Sequence, residues 1–206
     1  MNWKVIKELQ RVMMNYKKLF SLKDQVILVT GAGGQIGSET INAITNLGGK
    51  AIAVDVATKS LKNLASINNW DKNNVLLLNA DITKTQDLKK IIKQSVQKFE
   101  HISSIVNNAG ISTFEPFLER SEESINDVMN VNLKGVVMLT KEFLNYKKFS
   151  KKEGNIVNIA SHYGVISPDP RIYKTGDRKS PEIYGATKAG IIQMTKYYAV
   201  HASNLN

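Results

Sequence analysis

The chain contains no cysteine, so neither a disulfide framework nor a thiolate metal site can hold it together, and nothing points to an oxidising compartment. Its three histidines, His101, His162 and His201, are scattered and no HExxH or comparable ligand spacing occurs, so no structural or catalytic metal is expected. Long apolar runs are missing as well. None approaches the ~20 residues that a membrane span needs, and no basic, apolar and small-residue series makes a signal peptide. A cytoplasmic protein without a membrane span is the expectation. Acidic residues are outnumbered 18 to 28, for a net charge of +10. A basic surplus is one signature of nucleic-acid binding, but four arginines leave 24 of the 28 as lysine, spread along the chain rather than massed. Solvated helix faces account for them, and no nucleic-acid partner is expected.

What is present fits one globular domain: 206 residues, 42% hydrophobic and 22% charged, with no room for a second full domain. Residues 1–20 place Trp3, Ile6, Leu9, Met13, Tyr16 and Phe20 at steps of three and four, the period of an amphipathic helix with a basic opposite side. Such a helix suits a membrane surface, or packing on its own domain or a partner subunit; the second is the commoner use and is preferred. The expected division is therefore a helical extension over 1–20 and a domain over 21–206.

From residue 25 short apolar runs alternate with helical-period stretches. VILVT (26–30), AIAVD (51–55), VLLLN (75–79), ISSIV (102–106) and NIVNIA (155–160) are apolar on both alternating faces and read as buried strands. Helices are expected over 36–47, 58–68, 84–99 and 121–147; the third opens with Thr83 and Gln86 at capping-box spacing. Ser180 and Pro181 supply an N-cap and first-turn proline for a last helix, 181–201. Strand then helix, repeated, means a doubly wound parallel sheet in a three-layer α/β/α arrangement.

TGAGGQIG (30–37) follows the first strand and opens the first helix. There, glycines let the backbone approach a pyrophosphate, whose charge suits the free N–H groups of the helix start. The strict GxGxxG pattern fails because Ile36 stands where a glycine is required, and a P-loop fails for want of GK[ST]. Asp55 ends the second strand eighteen residues after Gly37, where a carboxylate can accept hydrogen bonds from an adenosine ribose. A 2′-phosphate ~4 Å away would meet roughly 4 kcal/mol of repulsion at an effective dielectric near 20, which favours NAD over NADP.

YGATK (184–188) puts a phenol and an amine one helical turn apart on one face. Hydride transfer between a carbinol carbon and nicotinamide needs a partner for the hydroxyl proton. A free tyrosine titrates near 10, and bringing such a group near 7 takes ~4 kcal/mol. An ammonium ~6 Å away supplies about 3 kcal/mol at the same dielectric.

TGAGGQIG, NNAG (107–110), Asn132 in VNLKG, Ser161 in IVNIAS and YGATK occur in order, each at its expected strand or helix, and over residues 24–206 the chain resembles the short-chain dehydrogenase/reductase family. The resemblance implies a Rossmann-type fold and an NAD-dependent oxidoreductase that interconverts an alcohol and a ketone. It implies a catalytic tetrad of Asn132, Ser161, Tyr184 and Lys188. It implies a cofactor site made by Gly31, Gly34, Gln35, Ile36, Gly37 and Asp55, with Asp81 and Ile82 at adenine, Asn108, Ala109 and Gly110 at the end of the fourth strand, and Tyr184 and Lys188 at the nicotinamide end. Asn107 is expected to tie the central strands together instead. Helices 121–147 and 181–201 are those through which such enzymes form homodimers or homotetramers.

Four departures carry expectations of their own. Gln35 stands where most members have glycine, so Gly34 is expected to take over the close approach to pyrophosphate. His162 either touches substrate or is a polar loop residue. The long loop between Ser161 and Tyr184 is similar to that of oxidoreductases from bacterial surface-glycan and flagellin-modification pathways, which implies a sugar or sugar-nucleotide substrate; its Arg171, Lys174, Arg178 and Lys179 are nearly balanced by Asp169, Asp177 and Glu182. Finally, the family continues past the tyrosine helix into a further strand, a substrate-covering segment and a last strand, whereas this chain ends at ASNLN. A C-terminally incomplete fold with the fifth strand exposed along one side is the expectation, and a non-catalytic dinucleotide-binding module is the alternative to a working enzyme.

Overall fold

In a computed structural model the described residues are 3, 4, 7, 19–116, 118–150, 153–173 and 180–202. Strands β1 (Val26–Thr30), β2 (Lys50–Asp55), β3 (Val75–Asn79), β4 (Ser104–Asn107) and β5 (Asn155–Asn158) form one sheet in the order β3-β2-β1-β4-β5. Every pairing is parallel, with Leu28 opposite Ile52 on one side and Ile105 on the other. The chain winds outward from β1 in both directions, so the gap beyond the C-terminal ends of β1 and β4 is the topological switch point, where open sheets of this kind bind ligands.

Helices α1 (Gln35–Asn46), α2 (Thr58–Ile67), α3 (Thr85–Phe99), α4 (Glu122–Met129), α5 (Val136–Ser150) and α6 (Glu182–His201) cover the sheet. The alternating faces of the strands feed two separate cores. Leu28, Ile52 and Ile105 pack with Leu88, Ile91, Leu139 and Phe143 of α3 and α5. Val29, Ala51 and Ala53 pack with Ile41, Ile44 and Leu61 of α1 and α2. Two cores flanking one sheet are the three layers that strands apolar on both faces require.

Three expectations need correction. The stretch read as one helix over 121–147 is α4 and α5 joined by a π-helical turn, Asn130–Gly135. The Thr83–Gln86 capping box does not form: the Thr83 hydroxyl donates to Asp81 Oδ1 at 2.7 Å, and α3 starts after Lys84 with no side-chain cap. Ser180 does not cap α6, whose N-cap is Pro181. β5, read from its apolar run as a buried strand but expected to be exposed along one side, is the edge of the sheet among the described residues, with Val157 at 48% exposure, because only β4 pairs with it there. The N-terminal amphipathic helix lies mostly outside the described residues; Trp3 and Phe20 are exposed. Lys174, Asp177, Arg178 and Lys179 also lie outside them.

Candidate active site

The glycine turn is braced from two sides. Thr30, the last residue of β1, accepts at Oγ1 from the N–H groups of Asn108 and Ala109, both at 3.1 Å. The Asn108 amide returns the tie by donating to the carbonyls of Thr30 (2.9 Å) and Gly31 (3.2 Å). Asn108 therefore straps the turn to the end of β4. Gly31 adopts φ +67, and a Cβ there would sit 2.9 Å from Ala109 Cα, so both conformation and space require glycine. Asp55 holds the far end of the turn: its Oδ2 accepts from Gly33 N–H at 2.8 Å and its Oδ1 from Ala57 N–H at 2.7 Å. Helix α1 begins at Gln35 with Gly34 as an extended N-cap that makes no side-chain cap bond. The N–H groups of Gln35, Ile36 and Gly37 have no acceptor among the described residues. Free donors at the positive end of a twelve-residue helix, with Gln35 and Ile36 lining a cleft, are suited to a phosphate.

That cleft, ≈ 400 Å³, is lined by Gly31, Gly34, Gln35 and Ile36 on one side and by Ala109, Gly110, Tyr184 and Lys188 on the other. A second hollow shares Gly31, Asp55, Ala109 and Gly110 and adds Asp81 and Ile82, together with Val56 and Val131, which the sequence did not single out. Gly37 lines neither. It is buried, and a Cβ there would collide with the Gly31 carbonyl, so its service is to let α1 start this close to the turn. Partial burial pulls the Asp81 carboxyl up, but hydrogen bonds from the Thr83 hydroxyl and N–H and the nearby Lys84 outweigh it and hold Asp81 below the ordinary carboxylate value.

The residues expected to do the chemistry come from three elements. Lys188, on α6 and 5% exposed, donates to the carbonyl of Ile159 at 2.7 Å, and its Nζ lies 5.5 Å from the Tyr184 ring centroid. Burial pushes the Lys188 amine below its usual value. Asn132 sits in the π-helical turn, fully enclosed: Oδ1 accepts from Ile111 N–H at 2.8 Å and Nδ2 donates to Ile111 O at 2.9 Å. The i→i+5 turn lets an inward-facing amide reach the loop after β4, a common use of π-bulges. Gly110 separates it from Lys188; a Cβ at Gly110 would be 3.4 Å from Asn132 Oδ1 and 3.7 Å from Lys188 Nζ.

Ser161 follows β5 and faces Tyr184 across an adjoining hollow of ≈ 540 Å³. The turn after it, His162–Gly164, packs directly on α6: a Cβ at Gly164 would lie 2.8 Å from the Lys188 carbonyl carbon, and one at Gly185 2.8 Å from the Tyr163 oxygen. This contact sets Ser161 relative to Tyr184. His162 is exposed and leans on the Tyr163 ring, 4.1 Å between centroids, so it does not line the hollow; Tyr163 does. Ser112, Phe114, Tyr173 and Ser180 also line it. Sequence reasoning missed these, although two tyrosines flanking a proline-rich loop were a signal. Asn107 behaves as expected, donating to Asn158 Oδ1 (2.8 Å) and Thr140 Oγ1 (3.2 Å).

The start of α6 is clasped to the loop before α4. Arg120 pairs with both Glu182 oxygens (2.9 and 3.2 Å) and donates to Thr113 Oγ1 at 2.7 Å. The guanidinium holds the Glu182 carboxyl below its ordinary 4.5, against a smaller upward pull from burial. A lowered carboxylate value stabilises the fold above the unfolded value and is lost as pH falls through the folded one. Glu182→Gln should therefore lower the urea midpoint at pH 7, by no more than about 1 kcal/mol because the side chain is 59% exposed. The difference from wild type should vanish by pH 3; an undiminished difference there would show that the carboxylate charge is not what matters.

A doubly wound parallel sheet with a glycine turn, a strand-end carboxylate and a Tyr–Lys helix facing one cleft defines a dinucleotide-dependent oxidoreductase. The chain belongs to the short chain dehydrogenase family, whose model matches residues 25–206. It is 32% identical over 185 residues to a 3-oxoacyl acyl-carrier-protein reductase of Thermotoga maritima, covering 90% of this chain and 71% of that one. It is 31% identical over 192 residues to post-translational flagellin modification protein A of Campylobacter coli, covering 90% and 74%. A short chain dehydrogenase of Leptospira borgpetersenii, solved with bound NAD+, superposes with a TM-score of 0.80 at 34% identity, over 92% of this chain and 69% of that one. Among the described residues no helix is long and apolar enough to cross a membrane, and no group of three His, Asp or Glu is placed to hold a metal.

Proposed function

We propose that the protein interconverts an alcohol and a ketone with NAD(H), Tyr184 exchanging the hydroxyl proton. The carrying observation is that Tyr184 and Lys188 look into the same cleft as the free N–H groups of α1 and the turn held by Asp55. Accepting and returning a hydride is the chemistry a bound nicotinamide supplies there. In this reading Gly31, Gly34, Gln35 and Ile36 take the pyrophosphate, and the N–H of Gly37 adds a donor. Asp55 takes the adenosine ribose. Asp81 and Ile82 flank adenine, and Asn108, Ala109 and Gly110 form the wall behind it. Ser161 hydrogen-bonds the substrate oxygen, Lys188 favours the phenolate of Tyr184, and Asn132 holds the end of the route by which the proton reaches solvent.

The likeness to the Campylobacter flagellin-modification protein supports a sugar derivative as substrate. The same proposal includes a helical extension over residues 1–20 ahead of a Rossmann domain over 21–206, self-association through α4–α5 and α6, and a cytoplasmic location.

The preference for NAD rests on Asp55, which already receives two backbone N–H groups and, among the described residues, pairs with no cation that would offset a 2′-phosphate. Asp55→Asn keeps the shape and removes the charge, so the ratio of NADPH to NADH dissociation constants should fall at least about tenfold, within the roughly 4 kcal/mol ceiling of the repulsion. Fluorescence titration of both cofactors checks this; an unchanged ratio would place the discrimination elsewhere. Saturable NADH binding with no oxidation of any sugar or alcohol tested would reject the redox reading.

A further inference from the structure

The substrate hollow has a wall that the proposed proton and hydride steps leave unused. Tyr163 and Tyr173 bring their hydroxyls to 2.9 Å, and Ser180 N–H reaches Tyr173 Oη at 3.5 Å. Together with Ser161 and Tyr184 on the reacting side, every side chain that lines the hollow carries a hydroxyl except Phe114. Among the described residues no charged side chain lines it: Arg171 is turned to Asp169 at 2.6 Å and Arg120 to Glu182 at 2.9 Å.

We propose that the Tyr163–Tyr173 pair is a substrate-orienting element that selects a polyhydroxyl substrate, a polyol or sugar with a second hydroxyl beside the reacting carbon. The proposal rests on the alcohol–ketone reading above. Two phenols carry two O–H donors, and the bond between them uses one. Whichever ring donates, the pair offers the hollow one undirected O–H and the remaining lone pairs. A vicinal diol answers both needs, since one hydroxyl can engage Ser161 and Tyr184 while its neighbour both accepts from and donates to the pair. A simple alcohol spends its only hydroxyl at the reacting end. Half-exposed Phe114 adds an apolar surface for the C–H side of such a substrate.

The pair is rigidly tied to the chemistry. The Tyr163 backbone touches α6 at Gly185, next to Tyr184, and the turn it belongs to is capped by the Ser161 hydroxyl, which accepts from Tyr163 N–H at 3.2 Å. The hydrogen bond with Tyr173 is the main cause holding the Tyr163 phenol above its ordinary 10.0.

The test uses the whole chain saturated with NADH. Dissociation constants are measured by calorimetry for a panel of pentitols and hexitols and for cyclohexanol, in wild type, Tyr163→Phe and Tyr173→Phe. Each variant should weaken polyols about five- to tenfold, one hydrogen bond's worth, while cyclohexanol and NADH stay within about twofold. Equal weakening of polyols and cyclohexanol, unchanged polyol affinity, or no polyol binding would each overturn the proposal. Turnover with NAD+, read in parallel, separates the two levels. Polyol binding that depends on both phenols without turnover keeps the pair and rejects the redox reading. Turnover indifferent to both substitutions keeps the reading and rejects the pair.

Discussion

Tyr184→Phe is expected to lower kcat by about 10²–10⁴-fold, the range for loss of a positioned general acid–base, with NADH affinity within about twofold of wild type. The two halves of this expectation have different physical origins. The ring of Tyr184 is half-buried and stands 5.5 Å from the Lys188 ammonium, and phenylalanine preserves that volume and the cleft wall it forms. Only the oxygen is lost, and with it the group that gives or takes the substrate proton. The ammonium lies 5.5 Å from the ring centroid, and at a charge separation of about 6 Å and an effective dielectric near 20 it would favour a phenolate by about 3 kcal/mol, most of what a tyrosine needs to act as a base near neutral pH. Burial raises the cost of carrying that charge, which the depressed Lys188 value expresses, and the Ile159 carbonyl at 2.7 Å offsets part of it. Single-turnover kinetics and NADH titration of the variant are the measurements. Wild-type kcat in Tyr184→Phe would remove this tyrosine from the mechanism.

Gly37→Ala should be the most damaging change away from the chemistry. Helix propensity alone predicts that alanine stabilises an interior helical position by about 1 kcal/mol over glycine. Here the sign reverses. The added Cβ would overlap the Gly31 carbonyl and stand 2.8 Å from Ala32 Cα, both backbone atoms that cannot turn aside. Either α1 shifts away from the turn or the turn opens, at the 1–3 kcal/mol typical of overpacking. Any such shift moves the free N–H groups of Gln35 and Ile36, so NADH should bind more than about tenfold more weakly as well. Gly34→Ala is the control: its Cβ would meet nothing closer than the Gly31 oxygen at 3.4 Å, and the thermal midpoint should barely move. Thermal unfolding and NADH titration of both variants check the pair. An unshifted midpoint in Gly37→Ala would mean that the first turn of α1 yields freely.

Much of this site was readable from residue order. The strands announced themselves as β-branched apolar runs, and the glycine turn, Asp55 and the Tyr–Lys spacing each stood at a strand or helix end, where local rules hold. Reading failed where a side chain chose a partner other than the one its spacing suggested. Thr83 has the spacing of a helix cap, yet its hydroxyl goes to Asp81, which also receives the Thr83 N–H. A period of 3.6 runs through 122–150 closely enough to hide the π-helical turn, whose cause is the pull of Ile111 on Asn132 from 21 residues away. Tyr163 and Tyr173 are ten residues apart in an irregular loop, and no periodic rule pairs them.

By itself the sequence determined the strand and helix order, the glycine turn between the first strand and the first helix and the shared helical face of Tyr184 and Lys188, because these depend on backbone conformation and spacing over a few residues. Tertiary structure alone decided that Lys188 is enclosed and bonded to the Ile159 carbonyl, that Gly37 serves by close approach rather than by lining the cleft, and that two phenols meet in the hollow that Ser161 also lines. Such outcomes depend on which surfaces meet when two cores close around one sheet, and contact between residues distant in the chain leaves no periodic trace in their order.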